Sequence, residues 1–392
     1  MTKRWIWAVL GAEVAVVVIF AAVFPQLDFG VYVWGGRAVL DDDRLYLERA
    51  LGMWFTYPPF AAVLFAALAA LPVALARVLW AVGSVGALAV ACWVTSRLAG
   101  RRPSRTTLAG VVAAALLLAP VYHTFVQGQV NLLLLALILG DVALLARGGR
   151  AARFAGVGVG LATAIKLTPG IFVLLFLVAG RTRAALTAAL AFLGGTGVGL
   201  LVAPEASLLY WTGLFRDTGR VGAPYISNQS PYAAALRVLG PENVGGWYVV
   251  VPLALGLVGL AIAGRYARRG DWLAAATATG VTGLLVSPIS WSHHWVWIVP
   301  ALALLVRDGA RVAAAAGYAV FAVAPHWLTP HDGGPDQYGW HGLVTVVANC
   351  YLIAGLVLLA YLRRHAAGRD PGPDPHPRTY ARRPMRAGLP AG

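Results

Sequence analysis

The chain has 392 residues, of which 59% are hydrophobic and only 12% charged, and its mean hydropathy is +0.71. Soluble domains are about a quarter charged, so this balance excludes an ordinary soluble enzyme and points to an integral membrane protein. The net charge of +15 does not indicate a nucleic-acid partner, because the arginines cluster between apolar runs, where the positive-inside bias places them against anionic lipid heads.

The first apolar run follows MTKRW, is too long for a signal peptide and has no small-residue cleavage site after it, so it reads as a retained span. With the arginine clusters as cytoplasmic markers, spans fall near 5–24, 77–96, 107–122, 130–146, 154–165, 168–180, 184–203, 247–264, 272–287, 294–306, 311–327 and 342–362. That makes about twelve, with both termini cytoplasmic; the short pair 154–165 and 168–180 reads as a bent hairpin. FAAVLFAALAALP at 60–72 runs only about thirteen residues before Pro72 and is kept on the outer surface. Counting it as a span would move every downstream arginine cluster outside. The expected architecture is therefore an all-α polytopic membrane bundle over 1–362. It has a first external loop at 25–76 with surface helices, and a disordered basic cytoplasmic tail at 363–392. Cys92 and Cys350 fall inside apolar runs and form no disulfide framework.

The outer turns hold the chemistry-bearing residues. Of sixteen acids, ten fall in the outer loops: Asp28, Asp41, Asp42, Asp43, Glu48, Glu205, Asp217, Glu242, Asp332 and Asp336. Asp28 is the candidate base, able to take a proton from an attacking hydroxyl; the alternative is a helix-start or interface acid. Asp41–Asp43 read as a solvated surface run. Glu13 lies in mid-span with no evident partner.

Lys166, in GLATAIKLTPGIF, stands between apolar half-helices, where an ammonium calls for an anion. It reads as a phosphate clamp or as a lysine reaching for water, and Pro169 frees backbone groups beside it. His293 and His294, in SWSHHW, point about 100° apart on a helix, so one donates to a phosphate oxygen or both belong to the belt of Trp291, Trp295 and Trp297. Gln127, Gln129 and Asn131 in QGQVN, and Asn228, Gln229 and Ser230 in ISNQSPY, suit sugar hydroxyls or cap the following helices. Tyr32 and Tyr57, with Trp34 and Trp54, stack on a sugar or line the interface. No H-E-x-x-H or C-x-x-C spacing and no phosphate loop occurs, so neither a metal nor any other cofactor is expected.

These pieces occur in an order that resembles a known family. They are LDFGVYVWGGRAVL…LY at 27–46, YPPFAAVLFAALAALP at 57–72, GQVNLLLLALIL at 128–139, ATAIKLTPGIFVLLF at 162–176, NQSPY at 228–232 and SPISWSHHWVWIVPAL at 287–302. The chain is similar to the polyprenol-phosphate-mannose-dependent α-1,2-mannosyltransferases of actinobacterial envelopes. The resemblance implies GT-C architecture, a plasma-membrane location and an active site on the extracytoplasmic face. It also implies a polyprenyl-phosphate-mannose donor, a mannosylated glycolipid or lipoglycan acceptor, and transfer with inversion. It makes Asp28 the base and puts Lys166 with His293 or His294 at the donor phosphate. DDDRLY at 41–46 departs from the Gly-containing turn expected before LY. The competing expectation is a lipid-linked sugar flippase or small-solute transporter, which also needs a polar cavity.

Overall fold

A computed structural model describes residues 2–40, 44–331 and 338–368, so Asp41–Asp43, Asp332, Asp336 and the tail beyond 368 lie outside the described residues. The chain opens with α1 (Thr2–Val23), then α2 (Leu27–Ala38), a two-stranded antiparallel hairpin of β1 (Arg49–Ala50) and β2 (Met53–Trp54), and α3 (Pro59–Ala69). There follow α4 (Val73–Leu98), α5 (Arg105–Leu116), α6 (Ala119–Gln127), α7 (Asn131–Arg147), α8 (Val157–Ile165), α9 (Ile171–Val178) and α10 (Thr182–Val202). The remainder comprises α11 (Pro204–Thr212), α12 (Pro231–Leu239), α13 (Val250–Arg268), α14 (Trp272–Val286), α15 (Ile298–Arg307), α16 (Arg311–Val323), α17 (Leu343–Ala348) and α18 (Cys350–Gly368).

Among the described residues, four helical stretches are long and apolar enough to cross a bilayer: Lys3–Val23, Val73–Leu98, Thr182–Val202 and Gly246–Arg268. The α5–α6 pair makes a fifth if its 74° bend lies within one span. Helix length alone thus supports four or five of the about twelve expected spans, and shorter apolar helices such as Trp272–Val286 and Arg311–Val323 coincide with others. The expected spans are present as helices, but several are broken where the chain turns toward polar groups. The expected span 107–122 bends at Leu117–Leu118, just before Pro120, and α6 then carries on to Gln127, past the expected end at 122. The stretch 342–362 is divided at Asn349, and 294–306 begins as a 3-10 turn, Ser292–Trp297, before α15. The last helix continues to Gly368, past the expected boundary at 362. Short helices at membrane depth are tolerated where neighbours satisfy their ends.

Two such repairs set the geometry. Asp141, inside α7, accepts a 2.7 Å hydrogen bond from the Val159 amide in the first turn of α8. A buried carboxylate thus holds free N–H groups at a helix start, where its charge also suits the dipole. Arg307 donates to both oxygens of Asp271, at 2.7 and 2.8 Å, and clamps the α15 end to the α14 start. The first loop packs α2 on α3, and the 11-residue α3 is about 16 Å long, too short to span. The core runs continuously from α2 and α3 through α4, α7 and α8 to α14 and α18.

Candidate active site

Helix ends converge to make the site. The KLTP bend, at Lys166–Pro169, joins α8 to α9, the turn at 128–130 joins α6 to α7, and the Ser292–Trp297 turn leads into α15. Gly128 has φ +71° and its α-carbon faces the Phe29 and Gln26 side chains, so a β-carbon there would lie 2.5 Å from Phe29 Cβ. Only glycine meets both demands without strain. The turn is also pinned by Trp80 Nε1, which donates to the Gly128 carbonyl at 2.8 Å. This close approach delivers Gln129 to α2.

There Gln129 Nε2 donates to Asp28 Oδ2 at 2.8 Å, while Gln129 Oε1 accepts from the Tyr32 hydroxyl at 2.8 Å and from Tyr57 at 3.2 Å. Tyr32 is fully buried and its ring meets Tyr57 edge-on. Asp28 sits in the first turn of α2 but bonds across to α6–α7 rather than capping its own helix. Burial raises the Asp28 carboxyl above the ordinary range, while the Gln129 hydrogen bond and the Lys166 charge oppose that rise.

Lys166 is the second focus. Its Nζ lies 2.8 Å from His294 Nε2, 3.2 Å from Asn131 Oδ1, and 5.5 Å from the Tyr57 ring centroid. Both hydrogen-bonding partners are neutral groups. Burial therefore brings the ammonium down to about 7, with the Asp28 charge pulling the other way. His294 is held below its ordinary value, first by burial and then by the Lys166 charge. Asn131 donates to the His293 carbonyl at 3.0 Å, which fixes its amide with the oxygen toward Lys166.

Lys166, His294 and Tyr57 line a cavity of about 550 Å³. One wall is aromatic and polar, with Tyr46, Tyr210, Trp291, Asp217 and Arg220; the other is apolar, from Ile171 and Leu174 of α9, Leu260 of α13 and Val286 of α14. Asp28 does not line this cavity, and it connects to Tyr57 through Gln129. Arg220 was not anticipated. It lies 3.4 Å from Asp217, donates to the Tyr46 carbonyl at 2.8 Å and sits 4.4 Å over the Trp54 ring. Its signal was faint, an arginine opposite the basic clusters in a long loop.

Other sequence candidates stand elsewhere. His293 makes no hydrogen bond to Lys166, and its Nε2 has no hydrogen-bond partner among the described residues; its carbonyl accepts from Asn131. Gln127 ends α6 and joins none of these hydrogen bonds. Asn228, Gln229 and Ser230 are fully buried braces rather than cavity residues. Asn228 Nδ2 donates to Ala223 and Pro288 carbonyls, Gln229 Nε2 to Ile226 and Ala348 carbonyls, and the Ser230 hydroxyl to the Pro288 carbonyl while capping α12. Their capacity is spent on the fold. Glu13 lies on α1, away from the cavity lining. Among the described residues, no group of three His, Cys, Asp or Glu is placed to hold a metal.

Residues 55–288 match Glycosyltransferase family 87. A polyprenol-phosphate-mannose-dependent alpha-(1-2)-phosphatidylinositol pentamannoside mannosyltransferase of Mycobacterium tuberculosis is 36% identical over 346 residues, 82% of this chain and 79% of that protein. The enzyme of that description from Mycolicibacterium smegmatis is 33% identical, covering 86% of each chain. A polyprenol-phosphate-mannose-dependent alpha-(1-2)-phosphatidylinositol mannoside mannosyltransferase of M. tuberculosis is 31% identical over 94% of each. No solved structure matches the chain.

Proposed function

The chain belongs to glycosyltransferase family 87, and from that premise we propose that it moves mannose from polyprenol-phosphate-mannose to a phosphatidylinositol mannoside or related lipoglycan. In this reading the linkage formed is α-1,2, the reaction inverts, and the site faces the extracytoplasmic side of the plasma membrane. The observation that carries it is the wiring of two opposed functions: the Lys166–His294–Asn131 group at the cavity, joined through Tyr57 and Gln129 to Asp28.

A lipid phosphate is already a good leaving group, so little acid catalysis is required. Lys166 holds the phosphate and its developing charge, and His294, whose Nε2 lies 2.8 Å from the ammonium, positions it. The apolar wall of α9, α13 and α14 takes the start of the polyprenyl chain, and the tyrosines and Trp291 take the sugar. Asp28 removes the proton from the acceptor hydroxyl as it attacks the anomeric carbon. Direct displacement needs base and leaving group on opposite sides of that carbon, and one base suffices without a covalent intermediate. Asp28 and Lys166 stand on separate elements: Gln129 hydrogen-bonds Asp28 and Tyr57, and the Lys166 ammonium lies 5.5 Å from the Tyr57 ring centroid, an arrangement suited to that geometry.

A transporter reading is less well supported, because the site gathers at one set of helix ends while arginines crowd the other. The test is transfer of radiolabelled mannose from polyprenyl-phosphate-mannose in membranes containing wild type or Asp28→Asn. Loss of a general base predicts a fall of about 10²- to 10⁴-fold with insertion unchanged. Normal transfer by Asp28→Asn would remove Asp28 as the base.

A further inference from the structure

At the opposite ends of α7, α8, α9 and α10 there is a second cavity, of about 340 Å³, which the reaction does not use. Leu145 on its wall is fourteen residues along α7 from Asn131, which separates it from the candidate active site by about 20 Å. Three arginines line it: Arg153 from the 3-10 turn before α8, and Arg181 and Arg183 around the start of α10. No acidic residue lines it, and among the described residues none of the three arginines forms an ion pair. Arg181 is oriented instead by the Trp272 ring, 5.7 Å from its guanidinium. The 21-residue helix α10 begins there with no side-chain cap and no acid in its first turn, so its amides add to the same positive field. All three arginines are exposed, so water screens their mutual repulsion, and the concavity presents their charge to an anion at the protein surface.

What lies beside the cavity identifies the anion's source. Leu186, Leu190 and Leu193 are exposed and share one face of α10, starting a turn beyond Arg183, and Phe154 is exposed next to Arg153. A cationic socket continues directly into a surface that suits acyl chains. We propose that this cavity binds the phosphate headgroup of an anionic phospholipid, whose chains lie along the Leu186–Leu190–Leu193 face.

The experiment is native mass spectrometry of the full chain in detergent, titrated with phosphatidylglycerol or with phosphatidylcholine of the same chain length. The expected result is one retained phosphatidylglycerol, at least tenfold preferred over phosphatidylcholine. Retention should weaken on the order of a hundredfold in R153Q/R181Q/R183Q, at about fivefold per charge near the surface. It should be unchanged in R363Q/R364Q, a charge-removal control on α18. Equal retention of the two lipids, equal retention by the triple variant, or equal loss in the control would overturn the proposal. So would stripping of the lipid by millimolar inorganic phosphate, which would make the cavity a free-anion site. If the triple variant does not fold, R183E alone must lower retention at least fivefold for the proposal to stand.

Discussion

The state of Lys166 makes the sharpest prediction, because the fold has taken most of its basicity away. An exposed lysine stays charged to beyond pH 10, and a donor held by one would bind equally well from pH 6 to 9. Burial brings Lys166 down to about 7, since its contacts, His294 Nε2 and Asn131 Oδ1, are neutral and only Asp28 opposes the shift. A phosphodiester keeps one negative charge across this range, and His294 stays neutral because it is depressed further. The sign follows directly. Below pH 7 the free enzyme already carries the proton that the phosphate needs, and affinity is flat. Above it, binding must first recover that proton, at about 1.4 kcal/mol per pH unit. Donor binding should therefore weaken about tenfold per unit, reaching roughly thirtyfold at pH 8.5 relative to the plateau. Lys166→Arg, which stays charged, should bind the donor with no such slope, even if its overall affinity is lower. The assay is equilibrium binding of labelled polyprenyl-phosphate-mannose to purified protein between pH 6 and 9. A flat wild-type profile, or the same slope in Lys166→Arg, would refute the argument that Lys166 answers the phosphate from a nearly neutral resting state.

Gln129→Leu removes the donor that orients Asp28. A hydrogen bond to a charged group contributes about 1.5–3 kcal/mol, so kcat should fall roughly tenfold to hundredfold while donor affinity holds, read from steady-state kinetics against direct binding. Asn228→Ala should act on stability instead, because it strands the Ala223 carbonyl and the Ser290 amide and leaves the Pro288 carbonyl with only the Ser230 hydroxyl; a lower melting temperature with unchanged donor affinity is the expected pair of readings. Gly36→Ala would put a β-carbon 2.5 Å from the Phe65 backbone and push α2 off α3. Overpacking costs about 1–3 kcal/mol, and the moved helix carries Asp28, so thermal stability and transfer should fall together.

The residue types at the site were legible in the sequence because charge and amide groups are conspicuous between apolar runs. Lys166 beside Pro169, and Asp28 just beyond the first span, stand out for that reason alone. The shortness of the 60–72 segment was also readable, since Pro72 closes the apolar run, and α3 is accordingly about 16 Å long. Local pattern could not choose between the two histidines, because both are compatible with a turn and only the packed chain sends His294 toward Lys166. Nor could it separate Gln129 from Asn228 and Gln229. All three are amides in polar turns, yet one meets Asp28 and the others close backbone gaps between distant loops. Asp141 falls inside the expected span 130–146, and only the packed chain brings the start of α8 beside it.

Sequence alone determined the membrane class, the helical segments and the kinds of group available, all of which depend on hydrophobicity and spacing along the chain. The tertiary structure decided which groups meet. Lys166 and His294 are 128 residues apart, and Gln129 and Asp28 are 101 apart. Such pairings depend on where helices break and how closely their ends pack, and no local periodicity encodes that.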